Sequence, residues 1–435
     1  MPPLTVAGRL HDAPRHGGSD GRDRGPASGA RFRTSRMTAM RRLSSIALLC
    51  AAHHLLLSPL GAQTPTVTQI AGSTHILVLL SDGTVSAMGQ NGAGQLGRPK
   101  STRTFEPAAR VALPGKVVQV AAGDEGSSYA LLEDGTVWAW GHGFNNNLGV
   151  SLNGARDRHT PGRVPGLTDV ARVVVQGAVA MAVMRDGSVR AWGLLPEALT
   201  GGQRVYPGVA APIVVKGLAD VADLVLGVSS KVVSGYALTR DGRVHSWGGN
   251  FKGEMGTGGT SWEFQQPALV PGVSDVVSIA TVNGAAVVVT RDGRVWSWGN
   301  NEQGGLGHGT QTDTVDPGQP LPALVPGFTD VVEVKAGTMG RQFIVRRQNN
   351  TLIGWGNSDW GQLGAGITGR FQLEPTPIKL PDVDAYWLCG NYAFARTKDG
   401  TVWFWGDEIA AGGLLGVRRH QRIPAPVPVA KLIPE

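Results

Sequence analysis

Residues Gly92 to Gly97 read GAGQLG and match the spacing G-x-G-x-x-G, which is typical of a turn that binds a dinucleotide. In such a turn the glycines let the backbone approach a pyrophosphate, and the N-terminus of the following helix stabilises its charge. The residues after Gly97, RPKSTRTFEPAAR, contain two prolines and no apolar residues at helical spacing. No acidic residue follows within a βαβ unit at the ribose-binding distance of about 20 residues. We therefore expect no nucleotide at this loop.

Other residue types that carry chemistry are scattered along the chain. Six histidines follow residue 62, and none has a partner at the spacing of metal ligands: His75, His142, His159, His245, His308 and His420. The sequence has no H-E-x-x-H, C-x-x-C, Walker loop or G-x-S-x-G elbow. We interpret His75 as a hydrogen-bonded turn residue and Cys389 as a small core residue. The sequence thus predicts no catalytic residue, no cofactor and no metal.

The N-terminal segment predicts export. Residues 1–39 are rich in Arg, Gly and Pro and are either disordered or a mis-annotated upstream extension, with Met37 and Met40 as alternative starts. Residues 40–62 predict a signal peptide, because Arg41 and Arg42 precede an apolar run and small residues precede residue 63. The alternatives are an uncleaved anchor or a disordered tail. Signal cleavage would remove Cys50, leaving one cysteine and no intramolecular disulfide.

The charge distribution argues against nucleic acid as a partner. Residues 1–42 carry nine Arg and three Asp, so +6 of the net charge of +7 lies there. The remaining +1 is too small to generate the long-range field of a nucleic-acid binder. Glycine is abundant, at 63 of 435 residues, and charged residues are only 17%. This composition indicates short strands and many turns.

An internal repeat dominates residues 63–435. The pattern D-G-x-V-x-x-W-G occurs seven times at intervals of 50 to 57 residues: DGTVSAMG, DGTVWAWG, DGSVRAWG, DGRVHSWG, DGRVWSWG, NNTLIGWG and DGTVWFWG. Asp-Gly favours a two-residue type I′ hairpin turn, and the flanking segments alternate as strands do. Val-rich strands lie further upstream in each copy. Each unit therefore supplies about four short strands and no clear helix.

Seven such units predict an all-β fold, a seven-bladed β-propeller of four-stranded antiparallel blades over residues 63–435. The turn aspartates of the repeat are Asp82, Asp134, Asp186, Asp241, Asp292 and Asp399. The tryptophan before the final glycine is interpreted as a wedge between blades: Trp140, Trp192, Trp247, Trp298, Trp355 and Trp405. Met88 replaces it in the first copy. GAGQLG is one copy of a loop that follows this glycine, and its leucine is expected to be buried.

The sequence resembles the RCC1-repeat family, the regulator of chromosome condensation type. The motifs that carry the resemblance are D-G-x-V-W-x-W-G followed by N-x-x-G-Q-L-G, clearest at residues 292–307, and A-G-x-x-H-x-x-x-L at residues 71–79. The resemblance implies the same propeller, and the predicted signal peptide places the chain with the exported bacterial type. It is less specific for function, because members include a guanine-nucleotide exchange factor, ubiquitin-ligase parts, light sensors and secreted inhibitors. The third copy departs from the loop motif and reads LLPEALTGGQRVYPG.

The functional prediction is a secreted or periplasmic protein–protein interaction module. It would be a monomer that binds an unidentified protein partner through one loop face, with no membrane association after signal cleavage. Aromatic residues that the repeat does not require are candidate anchors for this partner: Phe144, Phe251, Trp262, Phe264, Trp360 and Phe371. The alternative for each is that it folds back onto its own blade. The alternatives are an exchange-factor-like regulator of a GTPase, which requires a cytosolic location, and a propeller enzyme, a hydrolase or lyase, which requires polar groups converging at the central channel.

Overall fold

A computed structural model describes residues 64–435 except 104, 153–154, 201–205, 207, 230–231, 313–317, 338–339, 370, 409–413, 415–420, 430–431 and 433–435. The predicted segments 1–39 and 40–62 lie outside the described residues, as do Cys50 and His420.

Twenty-eight β-strands form seven four-stranded sheets in the described part of the chain, and each sheet uses four consecutive strands. Blades 1 to 3 comprise β1 (Val67–Gly72), β2 (His75–Leu80), β3 (Val85–Gly89) and β4 (Glu106–Arg110); β5 (Val117–Ala122), β6 (Ser127–Leu132), β7 (Val137–His142) and β8 (Asp157–Arg163); β9 (Val170–Gln176), β10 (Val179–Met184), β11 (Val189–Gly193) and β12 (Val209–Val214). Blades 4 and 5 comprise β13 (Val221–Ser229), β14 (Val232–Thr239), β15 (Val244–Asn250) and β16 (Ser261–Leu269); β17 (Val276–Val282), β18 (Ala285–Thr290), β19 (Val295–Gly299) and β20 (Gln319–Val325). Blades 6 and 7 comprise β21 (Val331–Ala336), β22 (Gln342–Arg347), β23 (Leu352–Asn357) and β24 (Phe371–Ile378); β25 (Val383–Cys389), β26 (Tyr392–Thr397), β27 (Val402–Asp407) and β28 (Arg422–Pro428). All neighbouring strands pair antiparallel, which confirms the predicted fold class.

The remaining regular structure is minor. Two short 3₁₀ helices, Phe144–Asn146 and Glu197–Leu199, lie between the third and fourth strands of blades 2 and 3. Among the described residues, no helix has the length and apolar character needed to span a membrane.

The hairpin turn between the second and third strands differs from the predicted type. In blade 1 the Gly83 N–H donates to the Leu80 carbonyl, and Gly83 has a φ of +80° whereas Asp82 has no positive φ. The prediction of a two-residue type I′ turn is therefore wrong, because that turn needs positive φ at both central residues. The loop is a type I turn followed by a left-handed glycine. The Asp82 carboxylate accepts hydrogen bonds from the N–H and hydroxyl of Thr84 at 2.9 and 2.7 Å.

The other turn aspartates have the same local role. Their carboxylates accept hydrogen bonds within their own turns, at Asp134, Asp186, Asp241, Asp292 and Asp399. These bonds hold the pKa of each of these five carboxyls below its usual range.

The first strand of every blade lies nearest the central axis. These seven strands contact the first strands of the adjacent blades and line a central channel. Each begins with a buried valine, and a bulge follows at the next residue, as between Val67 and Gln69 of β1. The bulge turns the third residue of each strand toward the channel, so that a ring of side chains surrounds the axis.

The ring closes where blade 7 meets blade 1. Among the described strands none is exchanged between these two blades, and the inner strands β1 and β25 contact each other across the closure. The Tyr392 hydroxyl donates to the Ser73 carbonyl at 2.9 Å. Met88 replaces the repeated tryptophan here, and it packs in one buried cluster with Phe394 and Phe404. The rings of these two phenylalanines lie 5.3 Å apart and fill space that a tryptophan occupies elsewhere.

Candidate functional site

The two ends of the propeller differ in what they carry. Because the strands of a blade are antiparallel, its 1–2 and 3–4 connections emerge at one end, which we call the loop face. The opposite end, the turn face, carries the Asp-Gly turns and the connections between blades. The longest connections of each blade, between its third and fourth strands, lie on the loop face. Long connections on a rigid scaffold are the usual place for binding residues.

GAGQLG lies in the 3–4 connection of blade 1. The Asn91 carboxamide accepts a hydrogen bond from the Leu96 N–H at 3.1 Å and donates to the Pro99 carbonyl at 2.8 Å, which fixes the loop. Leu96 is buried, and Gly94 has a φ of +78°. A side chain at Gly94 would come within 2.6 Å of the His159 backbone in blade 2. Strand β4 follows this loop instead of a helix, so the loop lacks the helix N-terminus of a pyrophosphate site.

The repeated loop also bonds to the tryptophan of the next blade. Five indole N–H groups donate to the carbonyl that precedes the buried loop leucine or methionine: Trp140 to Gln95, Trp192 to Asn147, Trp298 to Glu254, Trp355 to Gly305 and Trp405 to Gln362, at 2.6 to 2.9 Å. All six tryptophans at this position are fully buried. The six seams that contain a tryptophan therefore combine apolar packing with this specific hydrogen bond, with one exception.

The exception is the seam between blades 3 and 4. The indole nitrogen of Trp247 is buried and has no hydrogen-bond partner in the part of the chain that the structure describes. Blade 3 is the blade whose loop departs from the repeat motif. In place of the motif it buries Leu195 and Leu199. The atypical loop keeps the apolar packing of the seam, but none of its described residues presents a carbonyl to Trp247.

The seam between blades 1 and 2 contains an additional polar chain. His75 is the first residue of β2, so it lies in a strand and not, as predicted, in a turn. Its Nε2 lies 2.7 Å from the Ser128 hydroxyl, which donates to the Gln95 carbonyl at 2.8 Å. Nδ1 has no partner among the described residues. Full burial lowers the pKa of His75 to about 4, so the imidazole is neutral at physiological pH.

Three of the six candidate aromatics lie together on blade 4. Trp262 and Phe264 belong to the outer strand β16, and Phe251 lies in the loop that precedes it. The Phe251 and Trp262 rings are 4.9 Å apart. Trp262 is 86% exposed and Phe264 is 40% exposed, while Phe251 is half-buried beneath them. An indole held by a neighbouring ring and left open to solvent is the geometry of an interface anchor.

The other three candidates are separated on blades 2 and 6. Phe144 is exposed and stacks on His142 with ring centroids 5.9 Å apart. Trp360 is half-buried, and the Arg422 guanidinium of blade 7 lies 5.0 Å from the centre of its ring. Phe371 is half-buried at the start of β24. All six candidates therefore lie at the loop-face end of their blades, but only the blade 4 group has two rings in contact with each other.

Tyr206 is a residue that sequence reasoning missed. It lies in the atypical loop of blade 3 and is 80% exposed. The 3₁₀ helix Glu197–Leu199 of the same loop contacts β16, which carries Trp262. The departure of LLPEALTGGQRVYPG from the motif was the available signal. Its tyrosine belongs with the aromatic residues that the repeat does not require.

The described residues contain few arrangements suited to catalysis. Pairing of β7 with β8 brings His142 Nδ1 within 2.8 Å of the Asp157 carboxylate. No hydrogen bond joins the other ring nitrogen to a hydroxyl or thiol among the described residues. Burial raises the pKa of the Cys389 thiol to about 12, which keeps it protonated and unreactive. No group of three His, Cys, Asp or Glu side chains is placed to hold a metal ion within the described ranges.

The central channel contains a cavity with a volume of about 710 Å³. Charged side chains of blades 3, 4 and 6 enter it, in two ion pairs. Arg172 and Asp223 approach to 2.8 Å, and Lys335 and Glu333 to 3.0 Å. Burial raises the pKa of Asp223, with a further contribution from the negative charge of Glu333, while Arg172 opposes the shift.

The chain is similar in sequence to several eukaryotic proteins. The chain is 31% identical to the human E3 ubiquitin-protein ligase HERC2 over 226 residues, which is 49% of this chain but only 4% of HERC2. It is 25% identical over 370 residues to the ultraviolet-B receptor UVR8 of Arabidopsis thaliana, covering 80% of this chain and 78% of the receptor.

A solved structure and a family model agree on the fold. Prp20p of Saccharomyces cerevisiae, described with its binding to Gsp1p and histones, superimposes with a TM-score of 0.65 at 24% identity, over 76% of this chain and 83% of Prp20p. The family model described as RCC1-like domain matches residues 49–388, through the six blades up to β24 and into β25. With its seven four-stranded blades and repeated Trp-Gly loops, the chain belongs to the RCC1-like domain family.

Proposed function

We propose that this propeller is a protein–protein interaction module whose partner docks on the loop face of blade 4. The observation that carries the proposal is the 86% exposure of Trp262 while its ring rests on Phe251 at 4.9 Å. A large apolar side chain held rigidly in water loses little conformational entropy on binding and gains full desolvation. Phe264, on the same strand, enlarges the surface.

The surface around Trp262 favours a partner with an apolar recognition element. Lys252 of the adjacent loop is already paired with Glu302 of blade 5 at 3.5 Å. The exposed Glu263 is a single charge beside two exposed rings. Aromatic burial, with polar groups at the rim, is therefore the main source of affinity in this proposal.

The test compares a double variant, Trp262→Ala with Phe264→Ala, against a matched control. Leu324→Ala is the control, because Leu324 is 46% exposed on the outer strand of blade 5 and lies away from the patch. The purified propeller is first used to capture partner proteins from the cell fraction in which it naturally occurs. The affinity of each captured protein for the wild type and for each variant is then measured by titration. We expect the double variant to lose about 2 kcal/mol or more of binding free energy, roughly 30-fold. Equal binding by the double variant, or no retained protein, would contradict the proposal.

We also propose that the module is exported and works in a secreted or periplasmic location. The support is the order of the N-terminal residues, with Arg41 and Arg42 before an apolar run and small residues before residue 63. The intact mass and cell fraction of the natively expressed protein test this. A product that starts near Gln63 outside the cytoplasm is expected. A full-length cytosolic product would contradict export and favour the alternative of a GTPase regulator.

A further inference from the structure

The third residue of each inner strand is turned toward the channel by the bulge. The seven residues are Gln69, Gln119, Arg172, Asp223, Ser278, Glu333 and Ala385. All but the alanine line the channel cavity. They occupy equivalent places in a repeated structure, so differences in their bonding arise from the residue types and not from their position in the blade.

In blades 1, 2 and 5 this residue ties its blade to the next. The Gln69 carboxamide donates to the Val120 carbonyl at 3.1 Å and accepts from the Val120 N–H at 2.9 Å. Gln119 makes the same two bonds to Val173, at 2.8 and 2.9 Å. Ser278 accepts from the Val334 N–H at 3.1 Å. A neutral amide or hydroxyl therefore satisfies the structural need at this position.

Blade 6 carries a charged residue, Glu333, at this position, and neighbouring cations already pair with its carboxylate. The Glu333 carboxylate faces two cations, Lys335 at 3.0 Å and Arg346 at 3.4 Å. Lys335 also donates to the Tyr386 carbonyl at 2.8 Å and lies 4.5 Å from the centre of the Tyr386 ring. This group is closed and offers little to a ligand.

Arg172 and Asp223 are not saturated. Arg172 Nε lies 2.8 Å from Asp223 Oδ1, but its N–H is not aligned for a hydrogen bond, and its two terminal nitrogens make no hydrogen bond to the described residues. Asp223 Oδ1 accepts the Leu224 N–H at 2.6 Å, and Oδ2 has no partner within the described ranges. The pair therefore presents a free guanidinium edge and a free carboxylate oxygen side by side.

We propose that the central channel binds a free α-amino acid in its zwitterionic form at Arg172 and Asp223. The carboxylate of the ligand pairs with the planar guanidinium fork, and its ammonium group donates to Asp223 Oδ2. The cavity of about 710 Å³ is within the size range of small-molecule sites. Trp387, two positions further along β25 than Ala385, also lines the cavity.

The burial of Asp223 supports the proposal. Desolvation raises the pKa of this carboxyl, so its charged form gains from any additional cation brought into contact. The ammonium group of the ligand is such a cation. This inference concerns the channel and is independent of the blade 4 surface.

The first experiment is isothermal titration calorimetry of the purified protein with each of the common α-amino acids as separate probes. We expect at least one to bind with a submillimolar Kd. Arg172→Gln should weaken that binding by about tenfold or more. This variant should fold, because blades 1 and 2 carry glutamine at the equivalent position and use it to tie the next blade. Its Tm should be unchanged or higher. Leu324→Ala, on the outer strand of blade 5 and outside the channel lining, is the control and should keep the binding.

Two ligand fragments, acetate and methylamine, test the carboxylate contact and the ammonium contact separately. Acetate and methylamine carry one charged group each, so each should bind more weakly than the amino acid. Asp223→Asn should weaken the binding of the amino acid but leave the binding of acetate unchanged. No binding of any amino acid by the wild-type protein, or equal binding by Arg172→Gln, would overturn the proposal. If acetate bound as tightly as the amino acid, the channel would recognise only an anion, and the proposal of a zwitterionic ligand would be wrong.

Discussion

Two neighbouring seams, between blades 3 and 4 and between blades 4 and 5, are both filled by a buried tryptophan. They differ in whether its indole N–H makes a hydrogen bond. Trp298 and Trp247 are both fully buried and pair with equivalent residues, Ala286 and Gly235, of their own blades. Trp298 donates to the Glu254 carbonyl at 2.9 Å, whereas Trp247 has no partner among the described residues. The burial of the tryptophan is therefore set by the strand that carries it, whereas its hydrogen bond is set by the loop of the preceding blade.

The unpaired indole N–H has an energetic consequence. A buried donor without a partner costs about 1–3 kcal/mol of stability. The seam between blades 3 and 4 is therefore weaker than its neighbours by that order. The atypical loop that causes the defect also carries the exposed Tyr206 and contacts the strand of Trp262. The irregular blade of the repeat is thus adjacent to the proposed binding surface.

The largest expected effect comes from removing a buried tryptophan whose indole N–H is hydrogen-bonded across the seam. Trp298→Ala should lower the free energy of unfolding by about 3–5 kcal/mol, because it deletes a fully buried indole. Urea denaturation measures this. Trp262→Ala, at an exposed position, is the control and should change stability by less than about 0.5 kcal/mol. A loss for Trp298→Ala as small as that of the control would show that the wedge does not hold the seam.

A pH titration tests the seam between blades 1 and 2. The pKa of His75 is about 4 in the folded protein, against 6.5 for an ordinary histidine, because it is buried. As the pH falls from about 6.5 to about 4, the unfolded chain takes up a proton that the folded chain does not, so stability falls. The total contribution of this group is about 3 kcal/mol, fully present above pH 6.5.

His75→Gln isolates that contribution. The difference in unfolding free energy between wild type and variant should depend on pH only below about 6.5. Denaturation at a series of pH values gives the slope for both proteins. Identical slopes would show that His75 is not the source.

The smallest expected effect compares two tryptophan-to-phenylalanine changes. Trp355→Phe removes the N–H that donates to the Gly305 carbonyl at 2.9 Å, whereas Trp247→Phe removes an N–H with no partner within the described ranges. Both variants lose similar apolar volume. Trp355→Phe should therefore be the more destabilising by about 1 kcal/mol. Equal losses would mean that the hydrogen bond does not distinguish the two seams.

The binding surface was predictable only in part from the sequence. The aromatics that the repeat does not require were identifiable, because a repeat shows which residues each copy needs. The exposure of Trp262 and the cover of Trp360 by Arg422 were not, since both depend on side chains from another strand or blade. The pairing of Arg172 with Asp223 is of the same kind, because it joins residues of adjacent blades.

The order of residues along the chain determined the number of blades, the four strands of each and the buried tryptophan position. These properties are local: strand alternation and turn residues act within one copy, and seven copies imply seven blades. The tertiary structure alone decided the turn type, the unpaired Trp247 and the arrangement of charges in the channel. Each of these depends on backbone angles or on the distance between blades, which residue order does not specify.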